Sequence, residues 1–398
     1  MNNMKRSEVN HLRVAIVHRG LTRYRLPLYK YLYERNNINF HVFSRYFKVK
    51  SQKLGFSEPR NNEIIRLPIT RVPLSKSHIR FYNRFKIYLP SIKLIREIIS
   101  YKPNLIILES LSNIVTVLLL TPHILYKKIP FFWWGLGKIP DREDTIRSAI
   151  GDRIQQFYIK KAKAILSYSN YGKEFYINLG CDPKKIFVLY NTLDEISILK
   201  EIEKCKQLVP NIKSSIGIED QPVAIFSGTI NSGKKLDLLI KSFKIVKENL
   251  ITLDPKLIII GDGSDLNKCI ILTKKLGLNN SVIFVGRQEN NASAYFLLGH
   301  VAVMPGLGGL GINHAFIHKL PMICGNADGC ERDLVENGKT GYLLEQMSEI
   351  NLADKLTELM ADKDLSAKLG RNAFKLIKTK ISINNMVSII ERSILHKI

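Results

Sequence analysis

The sequence has few cysteines, and none of them is placed as a pair. The five cysteines are Cys181, Cys205, Cys269, Cys324 and Cys330. There is no C-x-x-C pair and no histidine at zinc-finger spacing, which argues against a disulfide framework or a cysteine-based metal site. Residues 1–12 contain no apolar core, so no secretory signal is expected there. We therefore expect reduced thiols in a cytoplasmic protein.

The sequence also lacks an apolar run long enough to cross a membrane. Its most apolar segment is NIVTVLLLTPHILY at 113–126, which Pro122 interrupts and which Lys127 and Lys128 follow. A membrane-spanning helix needs about 20 consecutive apolar residues. We therefore predict a buried helix in this segment.

Acidic residues are scarce in the first half of the chain. Residues 1–194 contain 34 lysines and arginines but only 13 acidic residues, a formal charge of +21 out of +25 for all 398 residues. A charge of this size predicts a negatively charged partner, such as nucleic acid, an anionic membrane or a phosphorylated molecule. Arginines alternate with aromatic residues at 18–33 and 78–88, but no nucleic-acid-binding module surrounds them. We favour an anionic membrane surface or a lipid-diphosphate acceptor, and no nucleic acid.

Apolar segments of strand length alternate with amphipathic helical segments along most of the chain. Strands are predicted at 12–20, 38–44, 103–110, 129–137 and 162–169, and again at 222–229, 256–263, 281–287, 300–306 and 320–325. Helices are predicted between them, including 87–102, 235–250, 312–319 and 350–379. This alternation is typical of parallel sheets wrapped by helices.

The chain length suits two α/β domains rather than one. We predict a first domain at 1–194, a charged linker without strands at 195–221, and a second domain at 222–382. A last helix at 383–398 is expected to return to the first domain. Glycines follow strands in both halves, at Gly20, Gly135, Gly228, Gly261 and within 306–311. In parallel sheets ligands bind at the carboxyl ends of strands, so we expect a ligand in a cleft between the domains.

The segment MPGLGGLGINHAFIHKLPMICG at 304–325 is the most informative glycine-rich turn. Its glycines open a helix, where free backbone N–H groups and the helix dipole favour an anion such as phosphate. The segment SGTINSGKK at 227–235 adds a second glycine turn and Lys234. It does not have Walker spacing. Taken singly, each glycine could merely tighten a turn.

The second half resembles the donor-binding domain of family 4 glycosyltransferases, the retaining enzymes of the GT-B fold. The resemblance rests on GTINSGKKLDLLIKSF, LIIIGDGSDLNKCIILTKKLGLNNSVIFVGR, LPMICGNADGCERDLVENGKTGYLLE and GCDPKKIFVLYNTLD. It covers about 160–380 well and 12–140 more loosely. It implies two Rossmann-like α/β domains facing each other across a cleft.

The chain departs from the family pattern in the glycine-rich loop. Gly306 and His314 stand at the positions of the two acids in the family's E-x7-E motif, and Thr229 stands where an arginine is usual. In the family the first acid holds donor-sugar hydroxyls and the second holds ribose hydroxyls. His314 can still hydrogen-bond a ribose hydroxyl, whereas Gly306 has no side chain. A subset of bacterial polysaccharide-assembly enzymes is similar to this chain in both respects.

The resemblance implies roles for particular residues. Lys234 would support the leaving diphosphate as the catalytic group, and these residues would line the donor site: Gly228, Thr229, Lys234, Gly306, Gly308, Gly309, Leu310, Gly311 and His314. On the acceptor side we expect Gly20, Arg23, Tyr24, Arg25 and Gly135. The leaving phosphate itself would take the acceptor proton, so no general base is assigned.

No metal and no cofactor are expected beyond the nucleotide-sugar substrate. The D-x-D of Asp362 and Asp364 lies between two predicted helices, where aspartates usually cap helices. Fixed positive groups can support a diphosphate without a metal.

The resulting prediction is a retaining, hexosyltransferase-type glycosyltransferase of capsule or O-antigen assembly. It would use a lipid-linked or oligosaccharide acceptor and lie peripherally at the inner face of the cell membrane. Two alternatives stay open, a non-catalytic sugar-nucleotide or glycan-binding homologue and a GT-B sugar-nucleotide epimerase. The sequence specifies neither the sugar nor the nucleotide, acceptor, linkage and oligomeric state.

Overall fold

The computed structural model describes residues 12–46, 59–73, 92–109, 114–137, 146–288 and 291–397. The chain divides into two compact units, one formed by Met1–Tyr190 with Ile383–Ile398 and the other by Asn191–Ser382. Each unit is built on one parallel sheet. The alternation of strands and helices in the sequence predicts this architecture.

The first unit contains a seven-stranded parallel sheet. Its strands are β1 (Arg13–Gly20), β2 (Asn39–Tyr46), β3 (Ile69–Pro73), β4 (Leu105–Glu109), β5 (Phe131–Gly135), β6 (Ala164–Ser167) and β7 (Ile186–Val188). Their order across the sheet is β3-β2-β1-β4-β5-β6-β7. In the centre, Val14 of β1 is in register with Phe40 of β2 on one side and with Leu105 of β4 on the other. The strands are rich in Val, Ile and Phe because both faces of such a sheet are buried.

Helices cover the first sheet. They are α1 (Leu26–Arg35), α2 (Asn61–Ile64), α3 (Ile92–Ser100), α4 (Ile114–Tyr126), α5 (Ile146–Lys161) and α6 (Asn170–Asn178). Pro27 lies in the first turn of α1, where a missing N–H costs nothing. Leu94 and Ile98 of α3 join Val117 and Leu120 of α4 in one apolar core against the sheet.

The second unit contains a six-stranded parallel sheet. Its strands are β8 (Val223–Ser227), β9 (Lys256–Ile260), β10 (Val282–Gly286), β11 (Val301–Met304), β12 (Met322–Gly325) and β13 (Gly341–Leu344). Their order is β10-β9-β8-β11-β12-β13. β8 therefore lies between β9 and β11: the chain leaves β8 towards β9 on one side, and it leaves β11 towards β12 on the other.

The helices of the second unit follow from apolar stripes and capping residues. They are α7 (Glu195–Cys205), α8 (Val209–Ser215), α9 (Leu236–Asn249), α10 (Leu266–Lys275), α11 (Ala292–Phe296), α12 (Gly311–Ile317), α13 (Glu331–Leu334), α14 (Glu349–Ala361) and α15 (Lys363–Thr379). In α9, Leu236, Leu239, Ile240 and Phe243 recur at helical spacing and are all buried.

The last helix, α16 (Ile383–Lys397), is part of the first unit. It packs against α1, where Arg35 Nη1 lies 3.0 Å from Glu391 Oε2. Asn37 Nδ2 donates to the other oxygen of Glu391 at 3.1 Å. Two hydrogen-bonded partners thus hold the buried Glu391 carboxylate. These bonds attach the last helix to α1 and the residues that follow it.

The boundary between the units differs from the predicted one. The division falls between Tyr190 and Asn191 rather than at 194. The segment 195–221 is not a linker, because α7 and α8 belong to the second unit. Glu201 of α7 accepts a hydrogen bond of 2.8 Å from Ser293 of α11. The charged residues of this segment are the exposed sides of packed helices, which composition alone does not distinguish from a linker.

The predicted burial of the segment 113–126 is wrong. Helix α4 does form there, but only one side of it is buried. Leu118, Leu119, Leu125 and Tyr126 are 43%, 47%, 70% and 81% exposed. Every helix in the described part of the chain is too short or too polar to span a bilayer.

Several other sequence expectations need correction. The alternation pattern does not reveal the short strands β3, β7 and β13. The helical segment predicted at 350–379, with Asp362 and Asp364 between two helices, is observed as α14 and α15, which meet at Asp362. The helix expected at 87–102 is observed at Ile92–Ser100, with 87–91 outside the described residues. The basic aromatic segment 78–88 also lies outside the described residues.

Candidate functional site

The neighbouring strands β8 and β11 of the second sheet mark its topological switch point. The chain leaves β8 towards β9 on one side, and it leaves β11 towards β12 on the other. A crevice opens at the carboxyl ends of strands at such a point, and ligands of open α/β sheets bind there. The two predicted donor segments, 228–234 and 306–311, follow directly after β8 and β11. The topology therefore brings together two loops that the sequence separates by more than 70 residues.

Lys234 joins these two loops. Its ammonium donates a hydrogen bond to the carbonyl oxygen of Leu307. A Cβ atom built on Gly228 would lie 4.0 Å from Lys234 Nζ, so the ammonium lies beside the turn after β8. Burial lowers the pKa of Lys234, and the negative charge of Asp328 acts in the opposite direction. Since an ammonium has three donors, two of them stay available for a ligand.

The backbone around Gly306 explains why a glycine stands at this position. A Cβ atom on Gly306 would overlap the carbonyl oxygen of Gly233 and lie 2.8 Å from the carbonyl carbon of Lys234. The Leu307 N–H donates to the same Gly233 carbonyl at 2.9 Å. The loop after β8 thus occupies the space that a larger residue would need. A side chain at position 306 would therefore collide with this backbone.

Three consecutive backbone N–H groups follow in the same loop. Within the described residues, the amides of Gly308, Gly309 and Leu310 have no hydrogen-bond acceptor. Gly309 has φ of +54°, a left-handed conformation that glycine adopts without strain. Unpaired successive amides in such a turn form a concave site for anions. Thr229 and Gly311 flank this loop, in the turn after β8 and at the start of α12.

His314 lies on α12 in a stack of three rings. Its ring centroid is 4.6 Å from that of Phe296 and 4.8 Å from that of His318. The His318 Nδ1–H donates to the backbone oxygen of His314 at 2.7 Å. Burial, together with the neighbouring His318, lowers the pKa of His314 to about 3, and burial lowers that of His318 to about 4. Both rings are therefore neutral at physiological pH.

One nitrogen of the His314 ring is buried without a partner. Nδ1 has no hydrogen bond to any described residue. A ligand hydroxyl that reached this nitrogen would pair a polar atom that is otherwise unsatisfied. No hydrogen bond, ion pair or ring contact between described residues joins His314 to Lys234.

The loop after β12 adds an acid that the sequence reading did not select. Glu331 is 2% exposed, and its carboxylate accepts hydrogen bonds from the amides of Ala327, Asp328 and Gly329. Burial raises the pKa of Glu331. These bonds fix the loop that carries Asp328, whose charge acts on Lys234. Glu331 opens a short helix directly after the turn that contains Gly329, and this position was the available signal.

The first sheet has a corresponding switch point between β1 and β4. His18 at the end of β1 is 2% exposed, and its Nδ1 lies 2.7 Å from Glu109 Oε2 at the end of β4. The other ring nitrogen of His18 hydrogen-bonds the buried Tyr29 hydroxyl. Burial alone would raise the pKa of Glu109, but His18 and Arg25 outweigh it, so this pKa lies below its ordinary value. Glu109 is the solvent-reaching member of the pair, with its side chain 22% exposed.

Arg25 completes this cluster from inside the unit. It is 4% exposed, and its guanidinium carbon lies 4.9 Å and 5.0 Å from the ring centroids of Trp134 and Tyr168. Arg25 Nη2 donates to the Tyr168 hydroxyl at 2.5 Å. Although burial opposes it, the net effect of Tyr168 and its other neighbours raises the pKa of Arg25. Arg25 therefore contacts aromatic rings inside the unit. A role in binding the acceptor would require its charge to be exposed, and it is not.

The other predicted acceptor-side residues lie at the same edge of the sheet. Gly20 ends β1 and Gly135 ends β5. Tyr24 stacks on Arg25, with 5.2 Å between its ring centroid and the guanidinium carbon. Arg23 is exposed and forms an ion pair of 2.8 Å with Glu63. His18 and Glu109 were missed as site residues, although a polar residue that ends an apolar strand is a signal that could have found them.

Asp362 of the D-x-D caps a helix, as predicted, and Asp364 lies in the first turn of that helix. Asp362 Oδ1 accepts a hydrogen bond of 2.8 Å from Leu365 N, in the first turn of α15. The described residues contain no group of three or more His, Cys, Asp or Glu side chains that could hold a metal ion. None of the five cysteines forms a disulfide.

Residues 209–376 match the model of the family described as glycosyl transferases group 1. This segment lies within the second unit and includes Lys234, the loop 306–311 and His314. The resemblance read from the motifs is confirmed at this level.

Curated relatives are similar over part of the chain. The N-acetyl-alpha-D-glucosaminyl L-malate synthase of Bacillus anthracis is 26% identical over 209 residues, which are 52% of this chain and 52% of that protein. The N-acetylgalactosamine-N,N'-diacetylbacillosaminyl-diphospho-undecaprenol 4-alpha-N-acetylgalactosaminyltransferase of Campylobacter jejuni is 24% identical over 270 residues, 65% of each chain. The chain thus spans about half to two thirds of the length of these two relatives. Relatives of this chain include glycosyltransferases of bacterial glycan synthesis.

A solved structure extends the likeness to both units. The crystal structure of Anabaena HepE in complex with UDP has a TM-score of 0.71 at 15% identity, and the match covers 96% of this chain and 99% of that one. Likeness at this identity shows the fold. The predicted fold class is therefore confirmed as two parallel-sheet Rossmann-like α/β domains, with GT-B glycosyltransferases as structural neighbours.

Proposed function

We propose that the protein is a retaining glycosyltransferase of family 4 that transfers a sugar from a nucleotide-sugar donor to a lipid-linked cell-surface polysaccharide acceptor. The observation that carries this proposal is the edge formed after β8 and β11. There an ammonium and three unpaired amides meet at the switch point of a sheet, within the segment that matches the group 1 model. A nucleoside diphosphate supplies the complementary negative charge.

In this proposal Lys234 and the 308–310 amides hold the diphosphate. These groups are already held at the edge of the sheet before the reaction, so they stabilise the charge that develops on the leaving group without large reorganisation. The phosphate takes the proton of the acceptor hydroxyl, and no metal is required. A chelator should therefore leave turnover unchanged.

His314 is proposed to bind the ribose of the donor. Its neutral ring can donate to or accept from a hydroxyl, and its buried Nδ1 lacks a partner among the described residues. The stack with Phe296 and His318 holds the ring in one orientation.

In the first unit, Glu109 is proposed to bind acceptor hydroxyls. Its carboxylate is ionised and partly exposed at the switch point of the first sheet, and His18 holds one of its oxygens. The Campylobacter jejuni relative is named for a lipid-diphosphate acceptor. That name, with the +21 formal charge of residues 1–194, supports a lipid-linked acceptor and attachment to the cytoplasmic face of the membrane.

Nucleotide binding can be tested first, and turnover second. We expect one nucleoside diphosphate of a panel to raise the melting temperature, because a ligand of the native state stabilises it by mass action. The matching nucleotide sugar, labelled in the sugar, should then release its sugar to water slowly and to a lipid-linked glycan faster. The anomeric configuration of the product tests retention. If no nucleoside diphosphate binds, the donor site is assigned wrongly.

A second candidate function is sugar-nucleotide binding without transfer. The specific observation that favours it is the backbone that fills the position of the missing acid at Gly306. Such a protein would bind the nucleotide sugar but neither hydrolyse nor transfer it. Conversion of the donor into a different nucleotide sugar would instead indicate an epimerase.

A further inference from the structure

Helices α4 and α5 carry a cluster of exposed apolar side chains on adjacent surfaces of the first unit. The side chains of Leu118, Leu119, Leu125 and Tyr126 on α4 are 43–81% exposed, and Phe157 on α5 is 57% exposed. The two helices touch next to Phe157, where the hydroxyls of Thr121 and Tyr158 lie 2.5 Å apart. We call these five exposed residues the docking face.

The exposed residues of α4 form a stripe rather than a scatter. Positions 118, 119, 122, 125 and 126 recur at helical spacing and lie on one side of the helix. The opposite side holds Val117, Leu120 and Ile124, which are buried against the sheet. Helix α4 is therefore apolar on both sides, although only one side is used in the core. Clustered apolar surface of this kind marks an interaction site.

Lysines border the docking face. Lys127 and Lys128 follow α4, and Lys160 and Lys161 end α5, and all four are exposed. Helices that connect parallel strands of one sheet run in the same direction, so these two helix ends lie at the same end of the sheet. The sequence from 114 to 128 contains no acidic residue. The ammonium of Lys127 lies 5.0 Å from the ring centroid of Tyr126, so charge and apolar surface adjoin directly.

We propose that the docking face rests on an anionic lipid bilayer. Apolar side chains enter the boundary between headgroups and acyl chains, aromatic rings lie at headgroup level, and lysines contact anionic headgroups. This pattern fits a lipid surface because the segment 114–128 has no acid to neutralise Lys127 and Lys128, whose charge complements anionic headgroups. Each basic residue near an anionic leaflet raises the partition coefficient roughly five-fold.

This surface differs from the one that the sequence suggests. In the segment 18–33, Arg25 is 4% and Tyr29 0% exposed, so these two side chains do not reach a membrane, whereas Tyr33 is 53% exposed. Lipid binding by the docking face is also independent of sugar transfer, since it is measured without donor or acceptor. Failure of one proposal therefore leaves the other standing.

The test is vesicle co-sedimentation of the full chain and four variants. Vesicles of phosphatidylcholine alone are compared with vesicles that also contain phosphatidylglycerol, at low and high salt. Leu125→Glu/Tyr126→Glu removes exposed apolar contact, and Lys127→Ala/Lys128→Ala removes charge. Helix α10 of the second unit supplies matched controls, because it has an exposed Ile271 and also ends in two exposed lysines. These controls are Ile271→Glu and Lys274→Ala/Lys275→Ala.

We expect the wild type to bind the anionic vesicles, and to bind them less at high salt, where surface charges are screened. Each α4 variant should lower the partition coefficient about 10- to 30-fold, whereas both α10 controls should stay within about two-fold of the wild type. Tyr126→Trp should show a blue shift of its fluorescence with anionic vesicles only. All variants change exposed side chains, and unchanged thermal unfolding will show that they are folded.

Three results would overturn the proposal. They are equal binding to neutral and anionic vesicles, equal loss in the α4 and α10 variants, and a Tyr126→Trp emission that vesicles do not change. A dimer in sedimentation that Leu125→Glu/Tyr126→Glu abolishes, without lipid binding, would assign the face to a second copy of the chain instead.

Discussion

At the scale of single residues, Lys234 is the cation that the donor edge offers to a diphosphate. Lys234→Ala should lower turnover about 10²-fold or more, the effect of removing one fixed group that stabilises developing charge. The neighbouring Lys235 is exposed and serves as the control, so Lys235→Ala should leave turnover almost unchanged. Steady-state rates with a labelled donor give both values. Equal rates for wild type and Lys234→Ala, with both proteins folded, would contradict the assignment.

The ring stack of His314 and His318 makes the second unit sensitive to acid. Both pKa values lie below the ordinary 6.5, so the unfolded chain binds more protons than the folded one as the pH falls through 6.5. Stability is then fully present above about pH 6.5 and is lost towards the folded pKa values, at up to about 1.4 kcal/mol per pH unit and ring.

Urea unfolding of the second unit measures this effect between about pH 7.5 and 5.5, a range over which we expect a loss of roughly 1–3 kcal/mol. His318→Phe keeps a ring in the stack but removes one titrating group, so its loss over the same range should be smaller. His396→Asn, which changes an exposed histidine in the first unit, is the control. An unchanged pH dependence in His318→Phe would show that these rings do not cause it.

Glu109 is the corresponding test residue of the first unit. Glu109→Gln keeps the shape but removes the charge. We expect the transition-state free energy of transfer to the acceptor to rise by about 1–3 kcal/mol, so that the rate falls roughly 5- to 160-fold. Nucleotide affinity should not change. Glu34→Gln removes another acid of the same unit, one that pairs with exposed Lys30, and is the matched control. A loss of nucleotide affinity in Glu109→Gln, or normal transfer, would refute an acceptor-side role.

At the scale of elements, the sequence predicts the loop 306–311 as an anion site but not the way it is built. The glycines and the helix that follows them are neighbours in the sequence, so the sequence alone can identify such a turn. The contact of Gly306 with the backbone of Gly233 depends on strand order, because it joins loops that follow β8 and β11. The pair of His18 and Glu109 was missed for the same reason, as 91 residues separate its members.

The packing at Gly306 predicts that Gly306→Glu weakens nucleotide binding, whereas the family motif alone would predict an improvement. Gly306→Glu restores the acid of the family pattern, yet its Cβ would lie 2.8 Å from the carbonyl carbon of Lys234 and overlap the Gly233 oxygen. The loop with Lys234 must then move, so nucleotide affinity should fall about 10-fold or more, the scale of one lost charged hydrogen bond. Calorimetric titration measures this.

Gly308→Ala is the comparison for Gly306→Glu. Its Cβ would lie 3.3 Å from the flexible end of Ile312 and 3.6 Å from Met304 Cγ, so affinity should change much less. Tighter nucleotide binding or higher turnover in Gly306→Glu would show that the loop tolerates the acid and that its close approach is not required.

At the scale of the whole molecule, hydrophobic periodicity predicts most of the two sheets. Long apolar segments such as 222–229 and 256–263 correspond to β8 and β9, within a few residues at each end. β7 has three residues and β13 four, which is too short for alternation to stand out from the surrounding loop. The sequence predicts a fully buried α4, but only one side of it is buried. A helix that is apolar on all sides gives no pattern from which the buried side can be predicted. Composition also predicts a linker at 195–221, where charged residues instead lie on the exposed sides of α7 and α8.

The final helix shows how the first unit depends on distant parts of the chain. Ile383, Met386, Val387, Ile390 and Ile394 of α16 are buried. Burial of five such side chains contributes about 7–15 kcal/mol, comparable with the entire net stability of a domain, about 5–15 kcal/mol. Removal of 383–398 should therefore unfold the first unit at physiological temperature, and α1 should lose the partners of Arg35.

The second unit should survive that truncation, because it lacks α16. Calorimetry of the truncated chain is expected to show one remaining transition, which a nucleoside diphosphate raises as much as in the full chain. Glu391→Ala is a milder companion variant, since it removes only the carboxylate that Arg35 and Asn37 share. It should lower the melting temperature of the first unit alone. If truncation leaves both transitions intact, the last helix is dispensable to the core of the first unit. If the nucleotide-dependent shift disappears with it, the donor site is not confined to the second unit.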